Sequence, residues 1–164
     1  MFLRKLEIKD APLMLEWMHD NNVVRDLQAN FAAKTLLDCE TFIGNSEEIG
    51  ENLHLAIAND ADEYMGTVSL KHIRPEEDAE FAITVRASAM GKGFSAYGMR
   101  QIIQIGLEQL GLKRVYWCVS PDNKRAVRFY DKNGYPRVPV SSLQPVGYTQ
   151  EQRMYFVWYA VEKA

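Results

Sequence analysis

From Phe94 to Leu110 apolar residues return at Met99, Ile102, Ile103, Gly106, Leu107 and Leu110, and Gly111 follows. That i, i+3, i+4, i+7, i+8, i+11 stripe is one face of a helix, and the glycine just past it supplies the left-handed residue on which helices commonly end. The flanking segments keep a different period. Glu80 to Val85 and Arg114 to Val119 are short runs rich in β-branched and aromatic residues, and both read as strands. An amphipathic helix between two strands must lay its apolar face on a sheet, so the chain is bound to the α/β class.

The rest of the sequence keeps switching between periods of two and 3.6 residues. Phe2 to Leu6 reads as a first strand. Asp10 then caps a helix whose second residue is Pro12, where a missing N–H costs nothing, and Leu13/Trp17 with Met14/Met18 supply its buried i,i+4 pairs. Asn21 to Lys34 is polar and mixed, either loop or short helix. Thr35 with Asp38 resembles a capping box opening a second helix to about Ile43. Leu53 to Ala58 and Tyr64 to Ile73 read as antiparallel strands joined at Asn59-Asp60, followed by the charged turn Arg74 to Asp78. Asp122 caps a shorter helix that runs to Lys132 and stops at Gly134, and Arg153 to Val161 reads as a long terminal strand. The expected order is β-α-α-β-β-β-α-β-α-β-β, about seven strands in a mixed, mostly antiparallel sheet with about four helices. The 164 residues contain no repeat, biased tract or linker, so 1–164 is expected to be one domain.

Charge and cysteine usage narrow the function. Nineteen Lys plus Arg against 22 Asp plus Glu leave a formal charge of −3 with no continuous basic block, unlike the footprint of a duplex-binding protein. Cys39 and Cys118 lie far apart, and His19, His54 and His72 show no ligand spacing, so neither a disulfide scaffold nor a metal site is expected. Charge appears at Arg4 and Lys5 before any apolar leader develops, and no run approaches the roughly 20 apolar residues that cross a bilayer. A cytoplasmic protein without nucleic-acid or membrane partners is expected.

Two constellations carry chemistry. Ala87 to Ser95 joins a strand to the N-terminus of the long helix, and Gly91 and Gly93 let backbone N–H groups turn toward one point. With the partial positive charge of the helix terminus this suits a phosphate, although a tight strand-to-helix turn needs the same glycines. Walker A spacing is absent. Gly91 to Ala96 fits GxGxx[GA], but it starts too far from its strand and lacks the acidic ribose ligand of a dinucleotide fold. The second constellation is Asn123, Ala126, Tyr130, Gly134 and Tyr135. Spacings of three, four and four align Asn123, Ala126 and Tyr130 on one helix face, which suits either a binding surface or a core face with a tethered tyrosine.

Taken in order, the two resemble the GNAT superfamily of acetyl-CoA-dependent N-acetyltransferases. Asn123, Ala126, Tyr130, Gly134 and Tyr135 meet the whole of that family's Nxx[AS]xxxYxxxG[FY]; the loop meets [QR]xxGx[GA] at Gly93 but has Met90 and Ser95 at its first and last positions. Gly91-Lys92-Gly93-Phe94, the opening Leu3 to Ala11 and Leu15 to Met18 resemble the branch of ribosomal-protein N-terminal and polyamine acetyltransferases. The resemblance implies a sheet splayed between its fourth and fifth strands. Pantetheine would pair with the backbone of Ile83 and Val85, the amides of Gly91, Lys92, Gly93, Phe94 and Ser95 would cradle the pyrophosphate, Asn123 would contact the pantetheine arm and Tyr130 would sit at the sulfur. Lys92, Lys124, Arg125 and Arg128 are candidates for the coenzyme phosphates. It also implies direct attack in a ternary complex, which leaves Cys118 to the core rather than to a covalent step. Relatives of this kind are often homodimers.

An amine near pKa 10 must lose a proton before it attacks. Glu80 stands where many relatives carry a glutamate acting through ordered water, and His72, at the end of the third strand, is its rival. Tyr130 would protonate the departing thiolate, and the amide of Val85 would polarise the thioester carbonyl. The acceptor, a small-molecule amine or a protein N-terminal amine, would be chosen by Asn21 to Lys34, the second helix and Val138 to Gln152, none of which carries a legible motif. Glu47, Glu48 and Glu51 would suit a polyamine or simply stay solvated. Met90 and Ser95 keep open a different class, a non-catalytic acyl-CoA-binding module of the same fold with a regulatory or assembly role.

Overall fold

A computed structural model describes residues 1–27 and 29–164. Gln28, inside the mixed segment Asn21 to Lys34, lies outside the described residues. Six strands, β1 (Phe2–Lys5), β2 (Leu53–Ala58), β3 (Tyr64–Arg74), β4 (Asp78–Val85), β5 (Arg114–Val119) and β6 (Val157–Glu162), hydrogen-bond in the order of the sequence. The pairs β1/β2, β2/β3 and β5/β6 are antiparallel. β4 and β5 are parallel and need a crossover, which α4 (Phe94–Gln104) supplies. Their register sets Asp78, Ala79 and Glu80 opposite Arg114, Val115 and Tyr116; residues 81–85 of β4 lie beyond it. The other helices are α1 (Ala11–Met18), α2 (Asn21–Val24), α3 (Leu36–Asn45), α5 (Lys124–Lys132) and α6 (Gln150–Tyr155). Among the described residues no helix is long and apolar enough to cross a membrane.

The α/β class and the mixed, largely antiparallel sheet are as the sequence predicts, with six strands in place of about seven and six α-helical segments in place of about four among the described residues. The missing strand follows Gly134, where the chain makes one isolated bridge, Arg137 to Tyr159. Arg153 to Val161 is not one strand. Thr149 and Gln152 close a capping box, so the backbone is helical to Tyr155 and becomes extended at Phe156. Asp122 does not cap α5; the side chain of Asn123 does, accepting from the Ala126 N–H at 3.2 Å. Asp10 stands at the start of α1 but leaves its end uncapped by its side chain, because Arg4 holds the carboxylate through two nitrogens at 2.8 and 2.9 Å. The helical stripe from Phe94 also widens at its end into a π turn, Ile105–Gln109, closed by the Leu110 N–H on the Ile105 carbonyl at 3.0 Å.

The chain gathers into two compact units, residues 1–71 with 82–102 and residues 72–81 with 103–164. In the first, α1 and α3 bury Met14, Trp17, Met18, Cys39 and Ile43 against Ala56 and Tyr64. Its polar core atoms are paired: the Trp17 indole donates to the Tyr64 hydroxyl at 2.9 Å, which sits 2.6 Å from Thr67 Oγ1. Arg86 closes the end of β4, reaching Glu16 and Glu63, both at 2.9 Å. In the second unit β4, β5 and β6 expose two differently filled faces. Tyr116, Trp158 and Ala160 meet Leu143 on one; Trp117 meets Phe81, Tyr130, Tyr135 and Tyr159 on the other.

Candidate active site

The first unit holds the glycine turn. β4 ends at Val85, one 3-10 turn (Ala87–Ala89) follows, and Gly91 and Gly93 take φ of 74° and 87° before α4 begins at Phe94. Those angles are open to glycine and strained for residues with a Cβ, and a Cβ built at either position meets nothing within 4 Å. The open space lies beside the first N–H groups of α4, which no carbonyl of the helix itself reaches. Gly91, Lys92 and Gly93 are exposed, Ser95 is partly exposed and Phe94 is buried, so Phe94 can present its amide here but not its ring. Ile83 is half-buried beneath α4, its Cδ1 3.7 Å from where a Cβ on Gly98 would stand. Val85 packs close on Gly66: a Cβ there would lie 2.6 Å from the Thr84 carbonyl oxygen and 2.8 Å from Val85 Cγ1. The predicted residues of this group thus fall on one strand end, turn and helix start.

The second unit holds the titratable residues. Tyr130 lies on α5 with its ring 5.5 Å from Trp117, 5.1 Å from Tyr159 and 6.4 Å from Tyr135. Its hydroxyl makes no hydrogen bond to a described residue. Burial raises the phenol above its usual range, with Tyr159, Cys118 and Tyr135 adding to the shift, so it stays protonated at any working pH. The helix that carries it is fixed at both ends, by Asn123 at the start and by Gly134 (φ 76°) at the finish, where the Tyr135 N–H returns to the Tyr130 carbonyl at 3.1 Å. Asp131, one residue on, binds Arg137 and accepts from the Tyr159 hydroxyl at 2.9 Å. Asn123 was expected to face a ligand, yet its side-chain oxygen is committed to the cap. Lys124, Arg128 and Lys132 line an open groove along α5 with Pro121, Val127 and Asp131, a basic surface beside the same helix.

Glu80 departs furthest from its solvated alternative. It is 3% exposed and accepts a hydrogen bond from the Tyr148 hydroxyl at 2.7 Å. Cys118, half-buried rather than fully in the core, donates to that same hydroxyl at 3.4 Å. Cys118 also lies within electrostatic reach of Tyr130, so the strand end of β5 is the common neighbour of Glu80's partner and of the helix tyrosine. His72 lies within β3, where the sequence puts it, but is exposed and has a left-handed backbone (φ 52°). Tyr148 was missed by sequence reasoning. It lies 68 residues from Glu80 in a stretch without a motif, and the only local signal is the capping box of Thr149 beside it.

Three comparisons place this geometry among known proteins. Residues 1–136 match the model of the acetyltransferase (GNAT) domain family. An uncharacterised N-acetyltransferase of Bacillus licheniformis, p20, is 24% identical over 139 residues, 82% of this chain and 78% of its own. Among solved structures, a spermidine N-acetyltransferase from Vibrio cholerae in complex with CoA and spermine superposes with a TM-score of 0.78 at 19% identity, covering 99% of this chain and 95% of that one. A GNAT-family acetyltransferase from Bacillus anthracis gives 0.73 at 19%, over 98% and 93%.

Proposed function

The chain belongs to the GNAT acetyltransferase family, acetyl-CoA-dependent acyltransferases, and on that premise we propose that it acetylates a primary amine of a small molecule by direct attack within a ternary complex. The observation that carries a catalytic reading, over that of an acyl-CoA-binding module, is Tyr130: a half-buried, protonated phenol held against the rings of Trp117 and Tyr159, whose hydroxyl no described residue engages. Its hydroxyl is thus left for a ligand or solvent, whereas that of the fully buried Tyr64 is bonded within the protein.

In this reading the backbone of Ile83 and Val85 binds the pantetheine arm as an added strand, and the amides of Gly91, Lys92, Gly93, Phe94 and Ser95 hold the pyrophosphate. The open left-handed glycines suit that role, because side chains there would crowd the approach of a phosphate to the backbone. Bound there, acetyl-CoA supplies an activated acetyl group as its thioester. Glu80 takes the ammonium proton through water, which frees the amine lone pair to attack. The Val85 amide steadies the charge that grows on the carbonyl oxygen. Tyr130 donates a hydrogen bond to the departing sulfur. With a pKa above that of a thiol, near 8.5, the phenol acts first by stabilising developing thiolate charge and only with that help as a proton source. Asn123 contributes through the position of α5, which its side chain caps, and through whatever donor its amide retains.

Polyamines are the first acceptors to try, since the Vibrio cholerae neighbour is named for spermidine and was solved with spermine. Cys39 and Cys118, neither of them in a disulfide, suit a reducing, cytoplasmic setting. The test is calorimetric titration with acetyl-CoA, followed by thiol release with spermidine, amino sugars and an N-terminal peptide. One-to-one binding and release with one amine class support the proposal. Binding without release from any amine would leave a coenzyme-binding module, and no binding would remove the acetyl-CoA site itself.

A further inference from the structure

Glu80 and Asp78 are two acids on one face of β4, 3% and 2% exposed. They are compensated differently. Asp78 receives the Arg74 guanidinium through two nitrogens, at 2.7 and 2.8 Å, and Arg114 lies 3.9 Å away. Tyr148 brings Glu80 a neutral donor, the phenol at 2.7 Å. The ring of Tyr148 is itself fixed, edge-on to Trp158 at 5.2 Å and to Phe156 at 6.0 Å, and its oxygen accepts from the Cys118 thiol. Tyr116, opposite Glu80 on β5, shares this face with Cys118, Tyr148, Asp78 and the two arginines.

We propose that Tyr148 is the positioning residue of the base: the chain Cys118 thiol, Tyr148 hydroxyl, Glu80 carboxylate holds Glu80 in one orientation for the proton of the acceptor amine. The inference rests on the reading of Glu80 as the base. Burial alone pushes a carboxyl toward its neutral form, in which it cannot take a proton; a hydrogen bond donated to the carboxylate pulls the other way. A phenol is suited to this because it stabilises the charge without neutralising it. An arginine in its place would hold the carboxylate too firmly to accept a proton near neutrality. The Tyr148 phenol is raised well above its ordinary range by burial and by Cys118 and Glu80, so it keeps its own proton throughout and never competes as an acid. The proton passes from ammonium through water to Glu80, and no covalent bond to the protein forms.

The test reads Glu80 directly in the full chain, by carboxyl-labelled NMR titration with Glu80→Gln as the assignment control. Tyr148→Phe keeps the ring and removes the donor, and is expected to raise the Glu80 pKa by about one unit. Site-specific fluorotyrosine at position 148, a stronger donor, shifts it the opposite way and guards against a variant that merely packs badly. With acetyl-CoA and spermidine as probes, the acid limb of kcat/KM in Tyr148→Phe moves up by the same amount, kcat at pH 7 falls about tenfold, and the KM for acetyl-CoA holds within about twofold. A Glu80 titration unmoved by both changes overturns the proposal. A titration that moves while the acid limb stays put supports the Tyr148 coupling and removes Glu80 as the base.

Discussion

Tyr130 and Glu80 show how much a single side chain owes to its surroundings. Both are legible as candidates in the sequence, Tyr130 from its place in Nxx[AS]xxxYxxxG[FY] and Glu80 from its position three residues before Ile83. Nothing local says that the carboxylate would be 3% exposed or that it would accept a hydrogen bond from Tyr148, 68 residues away. At this scale the sharp expectation is Tyr130→Phe. Removing the hydroxyl while keeping the ring among Trp117, Tyr135 and Tyr159 should lower kcat by roughly 10–100-fold and leave the KM for acetyl-CoA within about threefold, as measured by thiol release. An unchanged kcat would take Tyr130 out of the chemistry.

At the scale of elements, the proposed coenzyme site turns on β4, and Gly66 packs against the end of that strand. An alanine Cβ would meet the Thr84 carbonyl oxygen at 2.6 Å, a backbone atom that can yield only if the strand moves. Gly66→Ala should therefore cost about 1–3 kcal/mol in denaturant unfolding and weaken acetyl-CoA binding several-fold by calorimetry. Gly44→Ala on α3, where a Cβ meets nothing within 4 Å, should be neutral or slightly stabilising and serves as the control. The elements themselves were largely readable. Arg114–Val119, Leu53–Ala58 and the Thr35 and Asp38 capping box emerge as the periodicity and cap chemistry predict. The misreadings share a cause: a short-range signal was outweighed by one equally local. The β-prone Tyr155 to Tyr159 run masked the Thr149 and Gln152 box, and Asp122 drew attention from Asn123, whose oxygen was the one in reach of an orphan N–H. The π turn at Ile105 has no counterpart in a pattern that fits period 3.6 to the end.

For the molecule as a whole, acid sensitivity has a traceable source in His54. Burial and the nearby Lys71 lower its pKa to about 4, its Nδ1 lies 2.6 Å from Ser69 Oγ and its ring 4.6 Å from Phe42. In the unfolded chain the same imidazole titrates near 6.5. Above that pH it is neutral in both states and costs nothing; as pH falls toward 4 the unfolded chain alone takes up the proton, so stability drops. The loss is on the order of 1–2 kcal/mol once screening of a partly exposed ring is allowed for. Urea unfolding of His54→Gln should show a flatter pH dependence between 6.5 and 4; an equal slope would assign the acid sensitivity elsewhere. The three tryptophans also differ in a way that gives the protein its own lamp. Trp17 and Trp158 each donate an indole N–H to an oxygen, whereas the Trp117 N–H is buried without a partner among the described residues and its ring lies nearly parallel to Tyr159, 8° apart, and against Tyr130. With Trp17 and Trp158 changed to Phe, the remaining emission should be blue and, if the proposed site beside Tyr130 is filled, should change in intensity when acetyl-CoA is added, so that occupancy is read as light.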